Sequence, residues 1–326
     1  MRANYKVLAV SAALAFSAGM MPLAAVQAQD YPSQNIHLIS AFPPGSGADI
    51  VVRYYSEKLK TLVKQPVIVE TKVGAGGTLA VEYIARAKPD GHTILVHSGI
   101  TAANMMYLLK KPPIDAAKDL QLAAMINRQP FMVVVRADAP WKDLPQLTGH
   151  LKQQKDKSSY GWAATIAKVA GELYKSKAGL ETVDVAYRAG PDLLNDLLGG
   201  VIDFAVLDPA LAMAQLRQGK IRILAVTTQE RITASADLPT MEEQGVKDIN
   251  LVGWFGAILP SATPRPIVDQ INVWFNAITS SPETKEFLAK TGADPWITSV
   301  DEAQSAYLKE VQAWGDYVRL AKIDPQ

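Results

Sequence analysis

The stretch Ala41-Phe42-Pro43-Pro44-Gly45-Ser46-Gly47-Ala48-Asp49 holds the densest set of groups able to grip a ligand. It stands between an apolar run and a segment of helical spacing, so the turn ends at a helix N-terminus. Gly45 and Gly47 permit backbone conformations closed to other residues, and several N–H groups can then converge on one point. Such a point holds an anion, for example a carboxylate, without any cationic side chain. The same residues also describe a plain strand-to-helix turn in which Asp49 caps or complements the helix. A second cluster, Gly74-Ala75-Gly76-Gly77, follows a strand and precedes a helix. Leu79 stands where the third glycine of a dinucleotide fingerprint belongs, and the Lys-Ser/Thr pair of a P-loop is missing. The cluster therefore reads as a close-packed turn.

Other chemistry is poorly represented. No G-x-S-x-G occurs, no pair of carboxylates stands out, and His37, His92, His97 and His150 are scattered without H-E-x-x-H spacing. His37 and His97 fall in or beside strands and read as satisfied core or edge residues. The absence of cysteine excludes thiolate nucleophiles, zinc–thiolate sites and iron–sulfur clusters. With Lys+Arg at 33 and Asp+Glu at 32, no broad field favours nucleic acid or anionic lipid, so any charge preference is local. The expectation is a binding protein with no enzymatic activity, metal or cofactor.

The elements that position these residues alternate in type. Ile36–Ser40, Pro66–Glu70 and Thr93–His97 read as strands, with helices predicted over about 49–63 and 79–88 between them. A second alternating set begins at Pro130–Val135 and runs through strands at Ser158–Tyr160, Val183–Tyr187, Ile202–Leu207 and Ile221–Val226. Helices are predicted between them near Lys142 and over 165–178, 191–198 and 209–217. Strands separated by helices of this length imply βαβ crossovers and parallel sheets, and the apolar strands of the second set imply helices on both faces. The last third offers one β-run, Leu251–Leu259, followed by helices near 267–280 and 300–322, which is too little for a sheet of its own.

The predicted organisation is two doubly wound α/β domains with a cleft and a two-strand hinge. Residues 29–131 and 227–326 form domain 1, and 132–226 form domain 2. Ligands of open α/β sheets bind at the strand C-termini, here facing the cleft. Ahead of this lies Arg2 and Lys6, an Ala-rich uncharged run from Val7, and Val26-Gln27-Ala28. That order reads as a secretory signal over 1–28 cut after Ala28, with a retained anchor as the competing reading.

Several segments together resemble the Bug, or TctC-like, solute-binding proteins of tripartite tricarboxylate transporters. They are Tyr31-Pro32-Ser33 with the Ala41–Asp49 turn, Pro66–Glu70 with Gly74–Gly77, Lys88-Pro89-Asp90-Gly91-His92-Thr93, and Ala170-Gly171-Glu172-Leu173. Asp196–Gly200, Leu224–Thr227, Leu238-Pro239-Thr240 and Trp254-Phe255-Gly256 complete the set. The resemblance implies a type II periplasmic binding fold in which backbone amides, hydroxyls and waters hold a small organic carboxylate. It implies partners in integral-membrane transporter subunits, or alternatively a sensor kinase, and a periplasmic protein, expected to be a monomer. A periplasmic hydrolase is the remaining alternative.

On that basis Phe42, Gly45, Ser46, Gly47, Asp49 and Ser98 are the expected clamp of the first domain. Tyr160, Trp162, Ala163, Ala164, Thr165, Arg188 and Asp208 are the expected residues of the second. The loop Gly161-Trp162-Ala163-Ala164 is shorter than in the family and stripped of hydroxyls. Trp162 either packs against an apolar or aromatic part of the ligand or fills the volume the loop gave up. Arg188 either forks onto a second carboxylate, consistent with a dicarboxylic ligand, or is a solvated charge. Asp208 either accepts from a ligand amine or hydroxyl or caps the helix that Pro209 begins.

Overall fold

The computed structural model describes residues 31–325, so the predicted signal over 1–28 lies outside the described residues. The chain opens with three strands, each leading into a helix. These are β1 (Ile36–Ser40), α1 (Gly47–Lys60), β2 (Val67–Thr71), α2 (Thr78–Ala85), β3 (Thr93–His97) and α3 (Gly99–Leu108). A short helix α4 (Ala116–Asp119) then precedes the long strand β4 (Leu120–Pro130). The middle of the chain comprises β5 (Met132–Arg136), α5 (Leu144–Gln154), β6 (Ser159–Trp162), α6 (Thr165–Ala178), β7 (Val183–Ala186), α7 (Gly190–Leu198), β8 (Phe204–Leu207), α8 (Pro209–Arg217) and β9 (Ile221–Val226). It closes with β10 (Val252–Pro260), α9 (Arg265–Ser280), α10 (Pro282–Lys290), β11 (Asp294–Pro295) and α11 (Val300–Leu320).

These strands build two sheets, of order β11-β4-β10-β3-β1-β2 and β7-β6-β8-β5-β9. We refer to the layers around them as the first and second lobe. The fold is the expected mixed α/β pair, but neither sheet is wholly parallel. β1, β2 and β3 are parallel while β10 lies antiparallel between β3 and β4. In the second sheet β6, β7 and β8 are parallel while β5 is antiparallel to both β8 and β9. β5 and β10 are the first strands after the chain enters a lobe, so their direction is set by the crossing and not by a βαβ unit. β7 also departs from expectation: as an edge strand it leaves Val183 exposed, and the second sheet is not covered over its full width.

Packing explains the local choices. Tyr160 stacks on Phe204 at 5.2 Å under α6, and Gly171 leaves the room that the Tyr160 ring occupies. A stacked aromatic pair of this kind contributes about 0.5–1.5 kcal/mol beyond the area it buries. Leu193, Leu197 and Ile202 fill the other face of that sheet. In the first lobe the indole of Trp254 lies across Gly99, where any side chain would collide with it, and this fixes the start of α3 against β10.

The lobes are joined where β4 runs into β5 and β9 runs into Thr227. The Thr227 hydroxyl accepts from the Phe131 N–H at 2.9 Å and donates to the Leu251 carbonyl at 2.8 Å. Its own N–H donates to the Phe131 carbonyl, and its carbonyl accepts from the Leu251 N–H, both at 2.9 Å. One wholly buried residue thereby ties three passages of the chain together.

Candidate functional site

Six helices begin directly beyond parallel strands: α1, α2 and α3 at the C-terminal edge of the first sheet, and α6, α7 and α8 at that of the second. The two edges face each other. A Cβ added to Gly47, in the first turn of α1, would stand 3.0 Å from the Cβ of Ala210 in α8 and 4.0 Å from the Asp208 carboxylate. The N-termini of α1 and α8 therefore meet across the boundary between lobes.

The α1 turn is a self-satisfied frame. The Ser46 hydroxyl accepts from the Asp49 N–H at 3.3 Å and caps the helix. Asp49 is wholly buried and accepts from the Gly45 N–H at 3.0 Å, the Arg53 guanidinium at 2.7 Å and the Ser40 hydroxyl at 3.2 Å. Burial opposes ionisation of this carboxyl, but Arg53, the Gly45 amide and Ser40 together outweigh it and hold Asp49 below the usual carboxylate range. Gly45 adopts φ +81°, a conformation that a side chain would strain, and so brings its amide onto Asp49. Among the expected clamp residues, Gly45 and Asp49 thus bind each other. Behind the turn, Phe42 packs on His97 at 4.6 Å and Phe255 at 5.5 Å.

His97 is buried, neither ring nitrogen has a partner, and burial pushes its pKa down to about 3, so the ring is neutral. It is an apolar-walled support for Phe42 and not the satisfied histidine expected from sequence. Next to it Ser98 begins α3 half-buried, and its side chain makes no capping bond.

The second lobe is arranged differently. Ala164 and Ala189 occupy the N-cap positions of α6 and α7, and neither can supply a side-chain cap. Ala163 and Thr165 flank the first of these starts, half-buried, and Arg188 stands exposed beside the second with no ion pair among the described residues. Asp208, by contrast, caps α8 by accepting from the Leu211 N–H at 3.0 Å. Its pKa is raised because burial outweighs the backbone N–H groups of Leu211, Ala210 and Asp208 itself. The remaining two expected residues point elsewhere. Tyr160 is wholly buried beneath α6, its hydroxyl donating to Glu172 at 2.8 Å, so it positions the helix. Trp162 lies on the same face of β6; its indole N–H donates to Asp184 at 3.0 Å, and the Lys168 ammonium covers its ring at 5.1 Å.

Side-chain caps are common away from these edges, where α4, α5, α10 and α11 carry Asp115, Asp143, Ser281 and Ser299. At the facing edges α2, α3, α6 and α7 have none. Their first N–H groups have no side-chain acceptor, and a helix start of this kind is one that a carboxylate or water can satisfy. A separate groove of about 980 Å³ lies at the other end of the first sheet, lined by residues such as His37, Glu82, Arg86 and Asp90. His37 is already paired there with Glu70, and no group of three or more His, Cys, Asp or Glu placed to hold a metal occurs among the described residues.

Comparison with known proteins gives a consistent result. The model of the tripartite tricarboxylate transporter family receptor matches residues 51–322. A UPF0065 protein of Bordetella pertussis is 30% identical over 94% of this chain and 95% of its own length. Protein BugT of the same organism is 27% identical over 96% and 97%. Among solved structures, Rpa4515 of R. palustris with adipate aligns with a TM-score of 0.84 at 26% identity, covering 91% of this chain and all of that one. MatC of Rhodopseudomonas palustris with bound malate gives 0.77 at 25%, covering 88% and 100%.

Proposed function

Because this chain belongs to the tripartite tricarboxylate transporter family of receptors, we propose that it is a periplasmic receptor for a small dicarboxylate, which it hands to integral-membrane transporter subunits. The observation that carries the proposal is the run of helix starts without side-chain caps on both facing edges. Each is a cluster of unshared N–H groups at the positive end of a helix dipole, and such clusters suit carboxylates. One carboxylate would lie at Ser98 and the first amides of α3 in the first lobe. The other would lie at Ala163, Ala164 and Thr165 of the second, with Arg188 at the rim. Waters can complete such a grip at little net cost, so a buried arginine is not required.

The adipate and malate bound by the two R. palustris proteins support a dicarboxylate as the ligand class. Trp162, already bonded to Asp184 and covered by Lys168, supports a role in filling volume over one in stacking on an aromatic ligand. Titration calorimetry with adipate, malate and adipamide, the uncharged diamide of adipate, tests the reading. At least one diacid is expected to bind and adipamide to give no heat. Equal binding of diacid and diamide would contradict it.

A further inference from the structure

Helix α8 enters a slot in the first lobe whose two walls are glycines. On one wall a Cβ at Gly47 would meet Ala210 Cβ at 3.0 Å, and on the other a Cβ at Gly292 would meet Pro209 Cβ at 3.1 Å and Met213 Cγ at 3.0 Å. At the far end of α8, Arg217 donates to the Lys290 carbonyl at 3.1 Å. Gly292 has its own reason to be glycine, since its φ is +73°. Gly47 has none within its own helix. It is the first residue of α1 and shows no positive φ, and alanine is the better helix former there.

The explanation lies across the seam. A contact of 3.0 Å is tighter than non-bonded carbons tolerate, so an alanine at 47 would force α8 away by a few tenths of an ångström, enough to loosen a seam closed on both walls. Ala210 cannot turn aside, because its Cβ is fixed to the first turn of α8. We propose that Gly47 and Ala210 form the stop that sets how far the lobes close, so that side-chain size at these two positions controls the grip on the ligand. The Asp208 carboxylate, which caps α8 at this seam, faces the positive end of α1 and favours the same approach.

The direction of the effect on affinity rests on the clamp proposed above, whereas the stop itself can be tested without it. The protein has no cysteine, so two introduced ones can be labelled uniquely. Leu62→Cys and Val201→Cys place spin labels on exposed positions of the first and second lobe, and pulsed spin-resonance distances are then read with and without adipate. Gly47→Ala is expected to lower the closed-distance population and weaken adipate about tenfold. Ala210→Val, on a residue outside the expected ligand contacts, is expected to do the same, and Ala210→Gly is expected to restore Gly47→Ala. Distances in Gly47→Ala or Ala210→Val that match the wild type, or failure of Ala210→Gly to rescue, would overturn the proposal. A seam that behaves as expected in a protein indifferent to both adipate and malate would count against the ligand class alone.

Discussion

The turn before α1 and the turns before α6 and α7 occupy equivalent places in the two lobes, yet they dispose of their polar groups in opposite ways. Before α1, Ser46 and Asp49 consume amides internally and Arg53 and Ser40 anchor Asp49, giving a rigid frame. Before α6 and α7, alanines stand where a cap would be, and the first amides have no side-chain cap. A polar, glycine-rich loop is therefore a scaffold as much as a site, and the better mark of an anion site is a missing cap. The same contrast separates α1 and α8, capped and pressed together at the seam, from the uncapped helices beside them.

Breaking the frame should have the largest effect. Asp49→Ala takes the acceptor from the buried Ser40 hydroxyl and the counter-charge from Arg53, frees the exposed Gly45 N–H, and is expected to cost about 2–4 kcal/mol in denaturant unfolding. The sign with pH follows from the lowered pKa. The contribution of ionised Asp49 is present above the unfolded value near 3.9 and is lost as pH falls through the lower folded value. An unfolding midpoint that ignores the substitution would mean the turn is not a frame at all.

The wall behind the frame gives the next effect. His97 titrates near 3 in the folded chain and near 6.5 unfolded, so its neutral burial stabilises fully above about 6.5 and progressively less as pH falls towards 3. Thermal unfolding of His97→Leu against wild type should therefore diverge in acid, the variant gaining about 2 kcal/mol relative to wild type by pH 5. Parallel pH curves would show that His97 meets water or a partner.

The smallest change sharpens the comparison most. Ala164→Asp supplies α6 with the cap it lacks and is expected to raise stability by about 0.5–1 kcal/mol. The same carboxylate occupies the amides reserved for the guest, and calorimetry should show adipate weakened at least tenfold, about 1.4 kcal/mol. A more stable variant with unchanged affinity would locate the anion elsewhere.

Much of this arrangement is legible in the residues. β1, β3, α6 and α11 follow from their spacing, and α6 runs over the predicted residues. β4 escapes because Ala123, Ala124 and Met125 carry little strand preference; pairing with β10 on one side and β11 on the other imposes the conformation. α3 begins at Gly99 and is pinned by Trp254, a contact of high sequence separation that no local pattern reveals. Strand direction is likewise tertiary, which is why the antiparallel course of β5 and β10 does not show in the alternation of strands and helices.

At the site, the glycines of residues 41–49 advertise the turn, but the capture of the Gly45 amide by Asp49 depends on geometry. Alternation along β6 would have placed Tyr160 and Trp162 on one face with Gly161 on the other, hence both large rings towards α6. Ala164 and Ala189 were visible as positions without a capping side chain, and that omission is the signal that sequence reasoning can exploit.

The central claim is that uncapped helix starts on facing edges hold a dicarboxylate, and a crystal structure of the protein with adipate tests it most directly. The account predicts carboxylate oxygens within hydrogen-bonding distance of the N–H groups opening α6 and of those opening α3 beside Ser98. Adipate lying in the groove near His37 and Arg86, or between the lobes with its carboxylates turned to solvent, would contradict it.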